Sequence, residues 1–349
     1  MDNELLLFDR IEIIKATNEK YDLEHNAYLS FSGGKDSTIL HCLLDIALPN
    51  NKIPRVFIDT GIEYLMIRQF VLDLAKDDDR FIIIKPTRNI KQTLEKYGYP
   101  FKSKQHSYIL SIYQKSGIGL SVKRYLGIIE SSTKFRCPKS LMYQFSPEFN
   151  IKCSSKCCMK LKKEPIHKWE KENNRFIAIT GMRNSEGGER ASIKGCILTD
   201  KSGKLTKFHP LIKVNNEWEN WFIEKHNIKL CDLYYPPYNF KRTGCKGCPF
   251  SLDLQQQLDT MAIYLPTEKK QCEIIWKPVY DEYRRINYRL ENKVSIFDLW
   301  WNKHEALVIN AKIDTKIAIL VVKIIKSGYH SLEMSVKTKI TALDIGNSN

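Results

Sequence analysis

Apolar positions change period several times within the first hundred residues. Residues 5–22 carry them at helical spacing, and residues 27–31 (AYLSF) form a short continuous apolar run of the kind a buried strand shows. Helical spacing returns over 37–48. Residues 55–60 then read as a second strand, 63–76 as a helix, 80–86 as a third strand and 88–98 as a helix that stops at Gly98. Strands that alternate with helices and are nearly continuously apolar imply a parallel sheet covered on both faces. The pattern loosens over 99–149. A strand returns at 175–183 and a helix at 217–228, followed by a Pro/Gly-rich loop over 234–250 and a helical stretch rich in aromatics and charge over 267–290. No internal repeat or low-complexity segment interrupts the chain, and residues beyond 302 fit no element. The predicted fold is α/β, a doubly wound, mostly parallel sheet with helical and loop additions. Four segments are expected: a nucleotide-binding first half (1–98), a basic insertion (99–150), a second half (151–250) and a helical C-terminal region (251–349).

Composition changes this picture little. Of 349 residues 43% are hydrophobic and 27% charged, a globular mixture that needs neither disulfides nor metal simply to fold. The N-terminal segment is charged throughout, and the apolar run 317–325 is short and broken by Lys323. A cytoplasmic protein with no membrane association is therefore expected, and its ten cysteines are read as thiols or metal ligands before disulfides. Charge adds more. The net charge is +15, and residues 101–170 hold 14 Lys or Arg against 4 Asp or Glu. Such a block suits a polyanion, either nucleic acid or nucleotide phosphates; the alternative is a solvated basic face.

Candidate chemistry begins at "SGGKDS", Ser32–Ser37, where a strand gives way to a helix. Ligands gather at the carboxyl ends of strands in open α/β sheets. Gly33 and Gly34 let backbone N–H groups approach an anion, the helix start favours negative charge, Lys35 adds a point charge, and Ser32 and Ser37 add hydroxyls. A Walker A loop is excluded, because Leu29 and Asp36 stand where that pattern needs Gly and Ser/Thr. A plain glycine turn is the alternative.

The loop resembles the PP-loop of the adenine-nucleotide alpha-hydrolase (HUP) superfamily. That resemblance implies binding of the pyrophosphate of ATP, with Mg2+, and cleavage between the alpha and beta phosphates. It implies catalytic roles for Lys35 and Asp36. "DTGIEY" at 59–64 looks like the superfamily's second motif, which implies Asp59, Thr60 and Gly61 near the adenosine; Asp59 could otherwise be an acid at a helix start.

The cysteines form two pairs. Cys157 and Cys158 are adjacent, and Cys245 and Cys248 form C-x-x-C. Two such pairs can supply four sulfurs to zinc or to an iron–sulfur cluster. Vicinal cysteines chelate one tetrahedral ion poorly but can serve different irons of a cubane, and Lys156, Lys160 and Lys162 would stabilise thiolates. Cys153 and Cys137 compete for the fourth position, and buried free thiols remain the alternative. "CCMKLKKEPI" with a distant "GCxxCP" resembles the cluster motif of the iron–sulfur branch of the phosphoadenosine phosphosulfate (PAPS) reductase-like family, and this implies a 4Fe-4S cluster on Cys157, Cys158, Cys245 and Cys248. "TGMRNSEGGERAS" (180–192) looks like the same family's arginine segment, which implies Gly181, Arg183 and Arg190 at substrate phosphate or sulfate; surface ion pairing is the alternative for the arginines. The resemblance covers roughly residues 25–250.

Two departures matter. The terminal cysteine motif of the reductases is missing; Cys272, inside an expected helix, reads as a buried structural thiol, with a thiol activated beside Lys270 and Gln271 as the alternative. The phosphate loop also keeps the form found in ATP users. An intact ATP loop beside a reductase-like cysteine set is similar to the PP-loop ATPases of DNA phosphorothioation. The expectation is an ATP pyrophosphatase or adenylyltransferase supporting sulfur transfer to DNA or tRNA, with a sulfur donor such as a cysteine desulfurase and a homo-oligomer or multi-protein assembly. A sulfonucleotide (APS or PAPS) reductase and a non-catalytic, cluster-bearing nucleic-acid-binding subunit are the alternatives.

Overall fold

The structure, a computed structural model, describes residues 2–130 and 135–291. The apolar runs become strands β1 (Ala27–Ser30), β2 (Arg55–Ile58), β3 (Phe81–Ile84) and β4 (Ile177–Ile179), joined by β5 (Ile197–Thr199) and β6 (Leu205–Phe208) in one sheet of order β3-β2-β1-β4-β6-β5. All neighbours pair parallel except β5, which runs antiparallel to β6. The doubly wound expectation holds; the β5–β6 hairpin went unpredicted because each strand is short and partly polar. The strand expected over 175–183 is only Ile177–Ile179, because the chain turns into a loop before Gly181 and Arg183.

Helices α1 (Asn3–Tyr21), α2 (Leu23–Asn26), α3 (Lys35–Ala47), α4 (Leu65–Asp77) and α5 (Ile90–Tyr97) fill the first half. The basic insertion is largely helical, with α6 (Lys104–Ser116), α7 (Leu120–Leu126) and a 3-10 segment at Lys139–Phe145. Then come α8 (Glu164–Glu172), α9 (Asn216–Lys225), α10 (Leu254–Tyr264), α11 (Pro266–Ile275) and α12 (Lys277–Arg285). The helical stretch expected over 267–290 thus breaks at Trp276, with Pro266 and Pro278 each in a first helical turn.

Alternation along the strands feeds two layers. Ala27, Leu29, Phe57 and Ile179 pack with Ile14, Leu43, Val71 and Trp218 on one face, while Tyr28 and Val56 meet Trp169 of α8 on the other. A further core lies beside the sheet. It joins Ile62, Tyr64, Phe101, Leu110, Tyr125 and Leu161 to Leu258, Trp276, Tyr280 and Tyr283, and it encloses Cys157. The insertion and the helices after 250 therefore meet around the cysteines. β1 lies between β2 and β4, and the loops that follow β1 and β4 leave at this switch in strand order, the crevice where such sheets take ligands.

Candidate functional site

The loop after β1 holds itself in shape. The Gly34 N–H donates to Ser32 Oγ at 3.3 Å, and the Ser32 N–H to Ser37 Oγ at 3.2 Å. Gly33 adopts φ +71°, and a Cβ there would lie 2.9 Å from both Ile67 and Val71 of α4, so the turn admits only glycine. Gly34 caps α3 with its backbone, and the Ser37 hydroxyl returns to the Gly34 carbonyl at 2.9 Å. The first free amide of α3 already has a partner: the Lys35 N–H donates to the Tyr234 hydroxyl at 2.9 Å, and that hydroxyl pairs with Thr243 Oγ1 at 2.6 Å. Loop and hydroxyls converge where an anion would meet the helix start.

Four charged side chains close the crevice. Arg183 Nε donates to Asp36 Oδ1 at 2.7 Å and lies 3.1 Å from Glu219 Oε1. Arg183 also donates to Asn216 Oδ1 at 2.9 Å and Ser185 Oγ at 3.2 Å, which fixes the guanidinium plane. Lys35 Nζ sits 2.7 Å from Glu219 Oε2. Glu219, in the first turns of α9, is fully buried. Burial, a hydrogen bond with Asp36 and the Asp36 charge push its carboxyl up to about 7, against the pull of Lys35. Gly181 serves by close approach, since a Cβ there would meet the Asp36 carbonyl oxygen at 2.9 Å.

The second motif and the second arginine stand apart from this group. Asp59 is buried and accepts from Arg68 Nε at 3.0 Å. Thr60 is engaged within its own turn, its N–H and hydroxyl both on Glu63, at 3.0 and 2.7 Å. Gly61 lines open space at φ +75°. Arg190 pairs with Glu186, which also takes Arg242, so the structure does not bring Arg190 onto Asp36 or Lys35. Surface ion pairing, the alternative reading, describes Arg190 and not Arg183.

Four thiols lie beside the second motif: the Lys246 N–H, between Cys245 and Cys248, donates to the Ile62 carbonyl at 2.8 Å. Cys157 and Cys158 lead into a π turn (Met159–Lys163), and the Cys248 N–H closes the C-x-x-C turn on the Cys245 carbonyl at 3.2 Å. A hydrogen bond to Cys158, burial, and the nearness of Cys245 and Cys248 raise the Cys157 pKa. The same hydrogen bond, with Lys104, Lys162 and Lys163, lowers that of Cys158. Burial pushes Cys248 up to about 12 and raises Cys245, which the charge of Lys162 opposes. Of the lysines singled out in the sequence only Lys162 reaches the thiols; Lys156 and Lys160 lie 5.6 and 5.0 Å over the Tyr97 ring. Cys137 lies by Lys102, and Cys153 pairs its N–H with Gln114 Oε1 at 2.9 Å; neither joins the four.

Among the described residues no three His, Cys, Asp or Glu side chains are placed to hold one metal ion. A tetrahedral zinc with bonds near 2.3 Å needs its sulfurs about 3.8 Å apart. Cys157, Cys158, Cys245 and Cys248 lie near enough for their charges to shift one another's titration, and a polynuclear group, in which each iron takes one thiolate, is what four such cysteines could hold. Cys272 is not among them. It lies fully buried against the C-x-x-C turn, 2.8 Å from where a Cβ on Gly247 would be, and burial pushes its thiol up to about 12. The structural reading of Cys272 fits this position.

Glu219, Asn216, Tyr234 and Thr243 were missed in the sequence. They belong to no motif, and Glu219 lies in a helix whose Trp218 and Phe222 look like ordinary core. Among the described residues no helix is long and apolar enough to cross a membrane.

An uncharacterized protein of Methanocaldococcus jannaschii is 24% identical over 258 residues, 72% of this chain and 48% of that protein; the chain spans about half the length of this relative. Among solved structures, the chain is similar to phosphoadenylyl-sulfate reductase of Candida auris in a phosphate complex (TM-score 0.41, 15% identity, 68% of this chain and 87% of that one). It is also similar to Candida glabrata FMN adenylyltransferase with FMN and an ATP analogue (0.42, 16%, 70% and 63%). A third is the U34-tRNA thiolase NcsA of Methanococcus maripaludis with its 4Fe-4S cluster (0.34, 16%, 83% and 81%). The family model for the phosphoadenosine phosphosulfate reductase domain matches residues 26–116 and 121–251, across the phosphate loop, the arginine loop and all four clustered cysteines, and the chain belongs to that family.

Proposed function

We propose that this chain is an ATP-dependent enzyme that cleaves ATP between the alpha and beta phosphates to support sulfur transfer to nucleic acid, as in DNA phosphorothioation. The observation that carries the reading is the convergence of Lys35, Asp36 and Arg183 on the N-terminus of α3 in an intact phosphate loop. A nucleic-acid oxygen attacks the alpha phosphorus, the bond to the bridging oxygen breaks, and pyrophosphate leaves; Mg2+, when bound, would neutralise its charge. A sulfur nucleophile then displaces AMP. Lys35 and the α3 amides stabilise charge on the departing pyrophosphate, and Arg183, its plane fixed by Asn216 and Asp36, orients the phosphates. Cys157, Cys158, Cys245 and Cys248 would hold a 4Fe-4S cluster, one thiolate per iron, which would supply an anionic, redox-active centre. Exposed basic residues of α6 and α7, including Lys104, Lys115, Lys123 and Arg124, face the backbone of DNA or tRNA. A cysteine desulfurase is the proposed sulfur donor, within a homo-oligomer or larger assembly.

Family membership favours a second reading, reduction of APS or PAPS. That reaction needs a nucleophilic cysteine, and Cys272 is buried with its thiol pushed up to about 12. The two readings separate on anaerobically purified full chain. Pyrophosphate release from ATP, stimulated by DNA or tRNA, supports the first. Sulfite release from APS or PAPS with thioredoxin, and no ATP turnover, overturns it in favour of the second.

A further inference from the structure

Glu219 stands where a phosphate-binding crevice has least use for a buried negative charge. It contacts both cations of the site, Lys35 Nζ at 2.7 Å and Arg183 Nε at 3.1 Å, and faces the carboxylate of Asp36. Neither of its oxygens accepts a hydrogen bond of good geometry, so the contacts to Lys35 and Arg183 are ion pairs without directed donors. The charged and titratable groups facing it are Lys35 and Asp36 from α3, Arg183 from the loop after β4, and the Tyr234 phenol beside Asp36. On its own helix Glu217 is exposed and points elsewhere.

We infer that Glu219 is a stand-in anion: it holds Lys35 and Arg183 in the places nucleotide phosphate requires, and yields Lys35 when the phosphate arrives. This rests on the ATP reading above. Two cations and two carboxylates leave the empty crevice close to neutral. A polyphosphate that takes Lys35 leaves Glu219 buried beside Asp36 with one counter-charge fewer, and the carboxyl then keeps or takes up a proton. Nucleotide binding is thereby coupled to proton uptake, and Glu219 is a positioning residue.

The test uses ATP with the full chain, in wild type, Glu219→Gln and Glu219→Asp. Calorimetry in buffers of different ionisation enthalpy should show up to one proton taken up per ATP bound by wild type and E219D, and none attributable to the site in E219Q. Relative to E219Q, wild-type affinity should fall about tenfold per pH unit above neutrality. E219Q should bind ATP about tenfold tighter at pH 8. Equal proton uptake and parallel pH profiles in wild type and E219Q overturn the inference while leaving the ATP reading intact. Absence of ATP binding by wild type and by both variants, each folded by circular dichroism, overturns both. If E219Q fails to fold, a pH-independent affinity in wild type and E219D overturns the inference without it.

Discussion

Arg183 has nowhere else to put its charge. It is buried and bonded to Asp36, Asn216 and Ser185, with Glu219 beside it. Arg183→Ala leaves two carboxylates facing each other, and should cost about 3–5 kcal/mol in denaturant unfolding. Arg183→Lys keeps the charge but loses the fork, and should lower pyrophosphate release by roughly a hundredfold with a smaller loss of stability. Glu219 sets a pH dependence of folding. Its carboxyl rises from 4.5 to about 7 on folding, so the folded chain binds that proton more tightly than the unfolded one. The stability it contributes is full below the unfolded value and is lost as pH rises through about 7, on the order of 3 kcal/mol. Urea titrations between pH 5 and 8 should show this fall in wild type and a flatter profile in Glu219→Gln. Lys35, Asp36 and Arg183 were legible because their chemistry is local, a glycine turn and an arginine after a strand. Glu219 was not, since its meaning comes from residues that only the sheet order brings to it. Arg190 shows the converse: in the structure it pairs with Glu186, four residues away, rather than with Asp36 or Lys35.

Among the elements, the strand–helix alternation of the first half was readable because a parallel sheet needs nearly continuous apolar strands, and β1, β2 and β3 have them. The hairpin β5–β6 and the break at Trp276 were not: β5 is exposed at alternate residues, and Pro278 reads equally well as the first turn of a helix or a kink in one. Segment 234–243 looked like a plain loop, yet it delivers Tyr234 to the amide of Lys35 and Thr243 to that hydroxyl, two residues before Cys245. Tyr234→Phe removes the acceptor at the start of α3 and should destabilise by about 1 kcal/mol, measured by thermal unfolding. The C-x-x-C turn is gripped from outside. Trp276 Nε1 donates to the Lys246 carbonyl at 3.1 Å and the Tyr283 hydroxyl to that of Pro249 at 2.9 Å, while Cys272 fills the space beside Gly247. Gly247→Ala, at φ +58°, should therefore destabilise by more than Cys272→Ser, and Cys272→Ser should retain ATP-dependent pyrophosphate release. Loss of all activity in a folded Cys272→Ser would favour the reductase reading.

For the whole molecule, charge and core sit on different parts of the chain. α6 and α7 present Lys115, Lys123 and Arg124 among exposed Ile118, Leu120, Ile128 and Phe135, while their inner faces join the core around the cysteines. Binding to DNA or tRNA should weaken steeply with salt, and replacing Lys123 and Arg124 with Ala should reduce the log–log salt slope by about one unit each. A slope unchanged by both substitutions would move the interface off α7. The grip of α11 and α12 on the C-x-x-C turn also bears on timing. Chains emerge from the ribosome N-terminus first, at about 5–20 residues per second. Strands β1 to β6 are complete by Phe208, and Cys245 and Cys248 follow, but Cys272, Trp276, Tyr280 and Tyr283, which close over that turn, come out later still. The C-x-x-C turn is thus made before its roof, and any group it is to hold has its widest door during that interval of synthesis, before the two helices dock.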